Sequence, residues 1–265
     1  MRMPTFYIPH GGGPCFFMDW TLGPADTWER MASWLRAFPA SLPARPAAIL
    51  VVSAHWEERV PTVQAATSPP LLFDYYGFPA HTYALTWPAS GSPALARRTQ
   101  ALLAATGIAS ARDDRRGFDH GAFVPLKVAF PAADVPTIQL SLRADLDPAA
   151  HLAIGRALAP LRDEGVLIVG AGMSFHNTRT FMTARAGPDS AAFDAWLVAT
   201  VEGEAALRDE RLARWTSAPA ARAAHPREEH LLPLMVASGS APGDAGRRVF
   251  RDEVLGAVVS AIQFG

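Results

Sequence analysis

Four short apolar runs along the chain predict buried β-strands. Each run is nearly continuous and rich in aliphatic and β-branched side chains, which is typical of strands in a parallel sheet with helices on both faces. The predicted strands cover residues 6–9, 48–53, 137–142 and 166–170.

Helical patterns lie between these strands and after the last of them. They predict helices over residues 26–38, 92–106, 148–164 and 190–197. Asp147 followed by Pro148 is typical of a helix start, and Gly165 of a helix end.

A final helix is expected to begin near Pro226, with Leu231, Leu234 and Met235 on its inner face. Strands thus alternate with helices along most of the chain. This alternation predicts a layered α/β fold, although it does not give the order of the strands.

The length and composition are those of one globular domain. The chain has 265 residues, and 18% of them are charged, so it can bury a substantial core. We find no repeat, low-complexity segment or linker and expect a single domain over residues 1–265. The formal net charge of −1 gives no reason to expect a nucleic acid or an anionic membrane as a partner, which favours a small-molecule ligand.

Cys15 is the only cysteine. An intramolecular disulfide and a cysteine-based zinc cluster are therefore excluded, and a reducing compartment is favoured. The apolar stretch before residue 10 is too short for a signal peptide, and no run has the length of a membrane span. We expect a soluble, cytoplasmic protein.

Three of the eight histidines directly follow predicted strands or lie a few residues beyond them. His10 follows the first strand, His55 the second, and His176 comes after the glycine-containing end of the fourth. In open α/β sheets this carboxyl edge is where ligands bind. The three imidazoles are therefore expected to face one site.

A single histidine after a strand is more often a hydrogen-bonded loop residue than a ligand. Three of them at the same edge favour metal binding. A neutral imidazole offers one lone pair once the proton on its other nitrogen is held by an acceptor.

Two further histidines leave both interpretations open. His120 follows Asp119 in the loop 118–121, where the carboxylate could orient the ring or simply stabilise the loop. His230 lies at the start of the last predicted helix, and the pattern by itself favours a surface position for it.

The remaining histidines have no predicted role in a site. His151 is expected to be solvated on its helix, and the pattern assigns no role to His81 or His225.

Several well-known sequence motifs are absent: the P-loop, the G-x-G-x-x-G fingerprint, the G-x-S-x-G elbow and the H-E-x-x-H zinc motif.

Several short motifs occur in a fixed order along the chain and are spread over almost its whole length. They are His10-Gly11, Ser-Ala-His-Trp at 53–56, Phe-Asp-Tyr-Tyr-Gly-Phe-Pro at 73–79, residues 119–121 with 124–126, residues 170–177, and His225-Pro226 with 229–234. Together they resemble the class III extradiol ring-cleavage dioxygenases, in the branch that includes the 4,5-DOPA dioxygenases.

The resemblance implies a role for each of five histidines. His10, His55 and His230 would be the metal ligands, and His120 would contact the substrate or the bound oxygen. His176 would be the catalytic acid/base and, at times, an additional ligand. A histidine with a near-neutral pKa can both take a phenolic proton and return it. The implied fold is a single α/β domain with a mixed, largely parallel central sheet flanked by helices.

The segment around the first histidine departs from the family pattern. Enzymes near the DOPA branch usually have Ser before this histidine, whereas this chain has Pro9. The resemblance therefore does not extend to DOPA as the substrate. Aromatic side chains could form the wall of a substrate pocket or belong to the core; they are Trp20, Trp56, Phe73, Tyr75, Tyr76 and Phe78.

The implied ligand set does not determine which metal ion binds. Three imidazoles with an open position also describe a catalytic zinc site, whereas the usual non-haem Fe(II) oxygenase site has two His and one carboxylate. We expect Fe(II) for activity, with Zn(II) as an ion that the purified protein can carry. A zinc hydrolase on the same scaffold and a non-catalytic metal-binding protein are the alternatives.

The expected partners follow from the leading interpretation. They are a small catecholic substrate and O2. A homodimer is the commonest assembly for a soluble enzyme and is expected here on that ground alone.

Overall fold

A computed structural model describes the backbone of residues 1–265 and the side chains of all of them except Ala206. Its strands are β1 (Thr5–Pro9), β2 (Ala48–Glu58), β3 (Thr62–Gln64), β4 (Ala111–Asp113), β5 (Thr137–Arg143), β6 (Val166–Gly172), β7 (Gly246–Val254) and β8 (Ala257–Phe264). They form one sheet in the order β4-β3-β5-β2-β6-β1-β8-β7.

Helices connect most of these strands. They are α1 (Glu29–Ala37), α2 (Pro93–Ala105), α3 (His120–Ala129), α4 (Pro148–Leu158), α5 (Pro160–Asp163), α6 (Ala186–Val201), α7 (Ala205–Ala213), α8 (Ala221–Ala224) and α9 (Leu232–Gly239). Short 3-10 turns occur at Cys15–Phe17, Phe38–Ser41, Ala80–Ala84 and Trp215–Ser217. In the described part of the chain, no helix combines the length and hydropathy needed to cross a membrane.

The centre of the sheet is parallel and its flanks are antiparallel. β5, β2, β6 and β1 run parallel to one another. β3 pairs antiparallel with β5 on one side, and β8 and β7 add an antiparallel hairpin beyond β1 on the other. Every residue of β1 and β6 is buried, as expected for strands covered on both faces. The predicted fold class, a single α/β domain with a mixed, largely parallel sheet, is confirmed.

Side chains of β1 alternate between two helical layers. Phe6 packs against Phe38, which follows α1, with their ring centroids 5.2 Å apart. On the opposite face, the hydroxyl groups of Thr5 and Tyr7 donate hydrogen bonds to the carbonyls of Ala237 and His230. Successive residues of a strand point to opposite faces, so β1 holds both layers together.

Two glycines in β6 let α9 and the segment before it approach the sheet closely. A Cβ at Gly170 would lie 2.3 Å from the carbonyl oxygen of Pro233. A Cβ at Gly172 would lie 2.2 Å from that of His230. Side chains at these positions would push the helix outward, so the glycines place His230 beside the end of β6.

Several predicted boundaries differ from those observed. The last helix begins at Leu232 and not near Pro226, because residues 226–231 form bends and turns. These direct His230 toward the sheet. Leu231, Leu234 and Met235 are buried as predicted. The helix predicted over 148–164 is divided between α4 and α5, and the second begins at Pro160, whose ring removes a backbone donor.

The prediction that His151 is solvated is wrong. Its side chain is fully buried, with Nε2 accepting from the backbone N–H of Arg143 at 3.0 Å and Nδ1 donating to the carbonyl of Asp147 at 2.7 Å. The ring thus connects the end of β5 to the start of α4. A helical-face pattern could not show this contact with a neighbouring strand.

Candidate metal centre

Three histidines from distant parts of the chain meet at the carboxyl edge of the sheet. One ring nitrogen each of His10, His55 and His230 lies within 4.8 Å of the other two. The Nε2 atoms of His10 and His55 are 3.3 Å apart. Such a spacing places three lone pairs around one point.

His10 is held by the strand end on which it lies. Its backbone N–H donates to the carbonyl of Gly172 in β6 at 3.1 Å. Its Nδ1 lies 2.9 Å from the carbonyl of Gly11, which can only accept, so Nδ1 carries the proton and Nε2 carries the lone pair. Gly11 has φ +84°, and a Cβ there would lie 2.5 Å from Cys15 Sγ. This turn therefore requires glycine.

The sequence predicted that His55 lies beyond the end of its strand. In the structure it lies within β2, which extends to Glu58. The pairing of β2 with β5 shifts register between Val52 and Glu57, so the strand continues past the irregularity that carries the histidine. The backbone N–H of His55 donates to Ser53 Oγ at 3.1 Å. Ser53 in turn donates to the buried carboxylate of Asp119 at 2.6 Å. A β-bulge commonly turns a side chain toward a site in this way.

His230 is the most informative of the three ligand candidates. Nδ1 donates to Glu229 Oε1 at 3.1 Å, and the carbonyl of His230 accepts from the hydroxyl of Tyr7 at 2.6 Å. Its Nε2 is buried and has no hydrogen-bond partner among the described residues. Because a buried unpaired nitrogen is costly, this atom fits a ligand whose lone pair is meant for a metal ion.

The electrostatics of the three rings favour the neutral form. Burial lowers the pKa of His10, His55 and His230 well below the ordinary histidine value, and the neighbouring histidines lower it further. A neutral imidazole is the form that binds a metal ion. The residues present therefore fit a metal centre with three nitrogen ligands.

His176 lies directly against this centre. Its ring stacks on that of His230, with centroids 3.3 Å apart and planes 12° from parallel. The backbone N–H of His176 donates to the carbonyl of Ala224, and 26% of the side chain is exposed. Burial, and next the nearby His120, lower the pKa of His176 to about 4. The ring is neutral at pH 7 and can accept a proton.

His120 completes the cluster from the other side. It is the first residue of α3, and its ring centroid lies 3.9 Å from that of His55 and 5.4 Å from that of His10. The predicted loop at 118–121 is in fact a helix start, since the Asp119 side chain accepts from the backbone N–H of Ala122 as an N-cap.

Three carboxylates support the histidines. Asp74 accepts hydrogen bonds from His120, Glu229 accepts from His230, and the fully buried Asp119 accepts from Ser53 behind His55. No role was predicted for Asp74 or Glu229. Both lie in segments that carry the family resemblance, 73–79 and 229–234. Asp74 is 46 residues from His120, so the local sequence could not show their contact.

The two unassigned histidines stay outside the metal centre. His225 is fully buried, its Nε2 hydrogen-bonds to the carbonyl of Ser174, and its ring packs edge-on against Phe193 and Trp215. The exposed His81 hydrogen-bonds to the carbonyl of Phe17. Both have local structural partners.

The aromatic residues considered for a pocket wall divide into separate groups. Tyr75 packs edge-on near His120, with centroids 5.9 Å apart, and Phe78 packs against Gly13 in the loop after His10. Trp56 is buried, and Tyr76 is 91% exposed and points into solvent. Tyr75 and Phe78 are thus the two with contacts at the rim of the centre.

Comparison with known proteins gives one consistent family. Residues 5–263 match the model of the catalytic LigB subunit of aromatic ring-opening dioxygenase. The chain is 39% identical to a 4,5-DOPA dioxygenase extradiol of Beta vulgaris, over 97% of this chain and 93% of that protein. It is 36% identical to the dioxygenase tasH of Hapsidospora irregularis, over 99% of this chain and 85% of that protein.

A solved structure has the same fold. The crystal structure of an uncharacterized protein from Escherichia coli K12 superposes with a TM-score of 0.79 at 31% identity, over 100% of both chains. The family match spans nearly the whole chain, including all five clustered histidines. The protein therefore belongs to the LigB family of aromatic ring-opening dioxygenases, within the extradiol branch.

Proposed function

We propose that this protein is a non-haem Fe(II)-dependent extradiol dioxygenase that opens a catecholic aromatic ring with O2. The observation that carries the proposal is the convergence of His10, His55 and His230, with the His230 Nε2 buried and without a partner among the side chains that the structure describes. Membership of an aromatic ring-opening family supports the reaction type.

The three histidines would hold the ion, His10 and His230 through Nε2. Fe(II), when bound, supplies the redox chemistry that lets a chelated catechol react with O2. The chain keeps the His10 and His230 rings in place through the Gly11 carbonyl and Glu229. It holds the backbone of His55 in place through Ser53. All three ligands are neutral, so the full charge of the ion remains available to attract an anionic catecholate.

His176 would act as the acid/base. It is neutral at pH 7 because burial lowers its pKa to about 4, so it can take a proton from a phenolic hydroxyl. It can then return that proton when an oxygen leaves later in the reaction. The partial exposure of its ring beside the stacked His230 lets a substrate reach it.

His120 would hydrogen-bond the substrate or the bound oxygen. Its ring lies close to His55 and His10 but is oriented by Asp74. This orientation leaves the other ring nitrogen available for a ligand atom. The aromatic edge of Tyr75 nearby provides an apolar contact for a flat ring.

We propose catechols as the substrate class and do not choose one member of it. The relative from Beta vulgaris is named as a dioxygenase of DOPA. In this chain Pro9 precedes the first ligand, and the loop Gly11–Gly13 packs against Phe78. Since this loop borders the centre, a catechol other than DOPA fits the proposal equally well.

A zinc hydrolase is the second candidate, because three neutral imidazoles are also the donor set of catalytic zinc. Such an enzyme would turn over in the absence of O2. We expect that purified protein can carry Zn(II), whereas Fe(II) would support activity. A protein that binds the metal without catalysis is the third candidate.

The experiment is metal loading followed by an oxygen measurement. Metal-free protein is loaded with Fe(II) or Zn(II) under anaerobic conditions, and O2 consumption is recorded with a panel of catechols and gallate-like acids. We expect Fe(II)-dependent uptake with at least one catechol and a yellow ring-opened product. Absence of uptake with every compound would overturn the proposal, and turnover of the zinc form without O2 would favour the hydrolase.

Two further expectations rest on the sequence. The single, buried Cys15 supports a reducing compartment, and a cytoplasmic location remains our prediction. A homodimer also remains a prediction, which the molecular mass in solution would test.

A further inference from the structure

Asp74 lies on the loop after β3 and reaches the histidine cluster from outside. Its Oδ1 accepts from the backbone N–H of His120 at 2.9 Å and from the Nδ1 of the same residue at 2.8 Å. Its Oδ2 lies 3.9 Å from His55 Nδ1, which is too long for a hydrogen bond. The carboxylate therefore contacts one histidine closely and only approaches the other.

The close contact determines the tautomer of His120. A carboxylate oxygen can only accept, so the ring must carry a proton on Nδ1. In the neutral ring the lone pair is then on Nε2, the atom that is left for a ligand. Because Asp74 also binds the backbone N–H of the same residue, the direction of the ring is fixed relative to α3.

We propose that Asp74 is a positioning residue for ring opening, which holds His120 in the Nδ1–H tautomer so that Nε2 faces the substrate or O2. The inference rests on the proposed function, since it gives His120 that role. Asp74 touches no reacting atom in this account, and its effect passes through His120.

Capping of α3 does not explain why Asp74 contacts the ring of His120. That task is carried out by Asp119, which accepts from the backbone N–H of Ala122 at 3.1 Å. Asp74 satisfies one further N–H at this helix end, that of His120, and capping accounts for that bond alone. The bond from Asp74 to the ring of His120 is the contact that capping leaves unexplained.

The loop that carries Asp74 is docked on both sides of the carboxylate. Phe73 and Tyr75 both pack on Phe123 of α3, with centroids 5.7 and 6.5 Å apart. The hydroxyl of Tyr75 donates to the carbonyl of Thr82 at 2.7 Å. A carboxylate held between two anchored aromatic residues has little freedom, as a positioning role requires.

The test combines a double-mutant cycle with a spectroscopic readout. Asp74→Ala removes both hydrogen bonds, and Asp74→Asn keeps an acceptor but removes the charge. Each is made alone, and Asp74→Ala also in a His120→Ala background. Asp114→Asn, an exposed aspartate paired with Arg112, is the matched control. Metal content and melting temperature are recorded for every variant.

We expect Asp74→Ala to lower kcat by about 10- to 100-fold, the range for removing a carboxylate that orients a metal-ligating histidine. KM for the catechol and metal content should change little, and Asp74→Asn should be milder. In the His120→Ala background the same substitution should change kcat by less than about twofold, because effects that pass through one residue are not additive. The Asp114→Asn control should match the wild type.

The tautomer is read directly by nitrogen-15 NMR of the histidine side chains in the Zn(II)-loaded, diamagnetic protein. We expect His120 as Nδ1–H in the wild type, with that preference lost in Asp74→Ala. An equal loss of kcat in both backgrounds, loss of metal with Asp74→Ala, or an Nε2–H wild type would overturn the inference. An inactive wild type with the Nδ1–H tautomer would instead overturn the proposed function.

Discussion

Five imidazoles meet in this protein, and their hydrogen bonds separate them into different tasks. His10 and His230 each have Nδ1 engaged by an oxygen acceptor, which leaves Nε2 available for the proposed metal ion. His176 has no such short bond, since its Nδ1 lies 3.8 Å from Glu229. In the part of the chain that the structure describes, no close acceptor at Nδ1 therefore fixes its tautomer, in contrast to His10 and His230.

Substitution of a proposed ligand should differ from substitution of the proposed acid/base. His55→Ala removes one of three donors, so we expect loss of stoichiometric metal binding. His176→Gln keeps all three donors, and we expect full metal content with kcat lowered by about 100-fold or more, as for loss of a general acid/base. Metal analysis and oxygen uptake of the same samples measure both.

The exposed His81→Ala is the matched control and should equal the wild type in both measurements. The role assignment would be contradicted if His176→Gln lost the metal to the same extent as His55→Ala.

At the residue scale, the sequence predicted the part of the site that depends on local position. His10 and His176 follow strands, and the carboxyl edge of a parallel sheet is a general location for ligands. His230 could not be placed in this way. It reaches the site because its carbonyl meets Tyr7, 223 residues away, and because Gly172 leaves room for it.

At the scale of elements, the contact between β6 and the start of α9 brings the third ligand candidate into place. The contact depends on glycine, since a Cβ at Gly172 would lie 2.2 Å from the carbonyl oxygen of His230. The backbone on that side is also held by Met173, whose N–H donates to the same carbonyl at 3.3 Å. The close approach is thus both hydrogen-bonded and sterically tight.

Gly172→Ala should displace His230 and weaken the metal centre. We expect the free energy of unfolding to fall by about 1–3 kcal/mol, the usual cost of overpacking a buried contact. We also expect a weaker affinity for Zn(II), measured by competition with a chelator. Urea unfolding of the metal-free variant separates the two effects.

Gly187→Ala in α6 is the control, because a Cβ there would meet only Gly256 O at 3.5 Å, an ordinary contact. Its stability should stay equal or rise slightly. Wild-type zinc affinity in Gly172→Ala would contradict the proposed link between this contact and the site.

Two of the elements that the sequence did not reveal, α3 and β7, lack the periodicity on which such predictions depend. α3 is buried on nearly every side and contains Pro125, so it shows no amphipathic face. β7 carries charged residues such as Arg247 and Arg251 along an edge strand, and it pairs only with β8. In the turn between β7 and β8, Leu255 and Gly256 both have positive φ, and Gly256 was the available signal in the sequence.

For the whole molecule, buried neutral histidines make folding sensitive to acid. Burial lowers the pKa of His225 to about 3, whereas the unfolded chain has an ordinary value near 6.5. Below pH 6.5 the unfolded state therefore binds more protons than the folded state. The stability from this residue is present above pH 6.5 and is lost as the pH falls toward 3.

His225→Gln should reduce this acid sensitivity. We expect urea unfolding of metal-free protein to show that the free energy of unfolding changes less steeply with pH in the variant. Between pH 4 and 6 the slopes should differ by up to about 1.4 kcal/mol per pH unit, the value for one linked proton. Equal slopes for the variant and the wild type would contradict the account.

The overall architecture was predictable from the sequence because its central strands are continuous apolar runs between helices. The order of strands depends on long-range pairing, such as β1 beside β6 and β8, and could not be predicted from local pattern. The family match then assigns the chain to ring-opening dioxygenases as a whole.

The most direct test of the central claim is the fate of labelled oxygen. Fe(II)-loaded protein is supplied with a catechol that it consumes, under 18O2 in unlabelled water, and the product is analysed by mass spectrometry alongside O2 uptake. We expect one O2 to be consumed per ring opened and 18O to appear in the new carboxylate of the product. An unlabelled product, or product formed without O2, would contradict it.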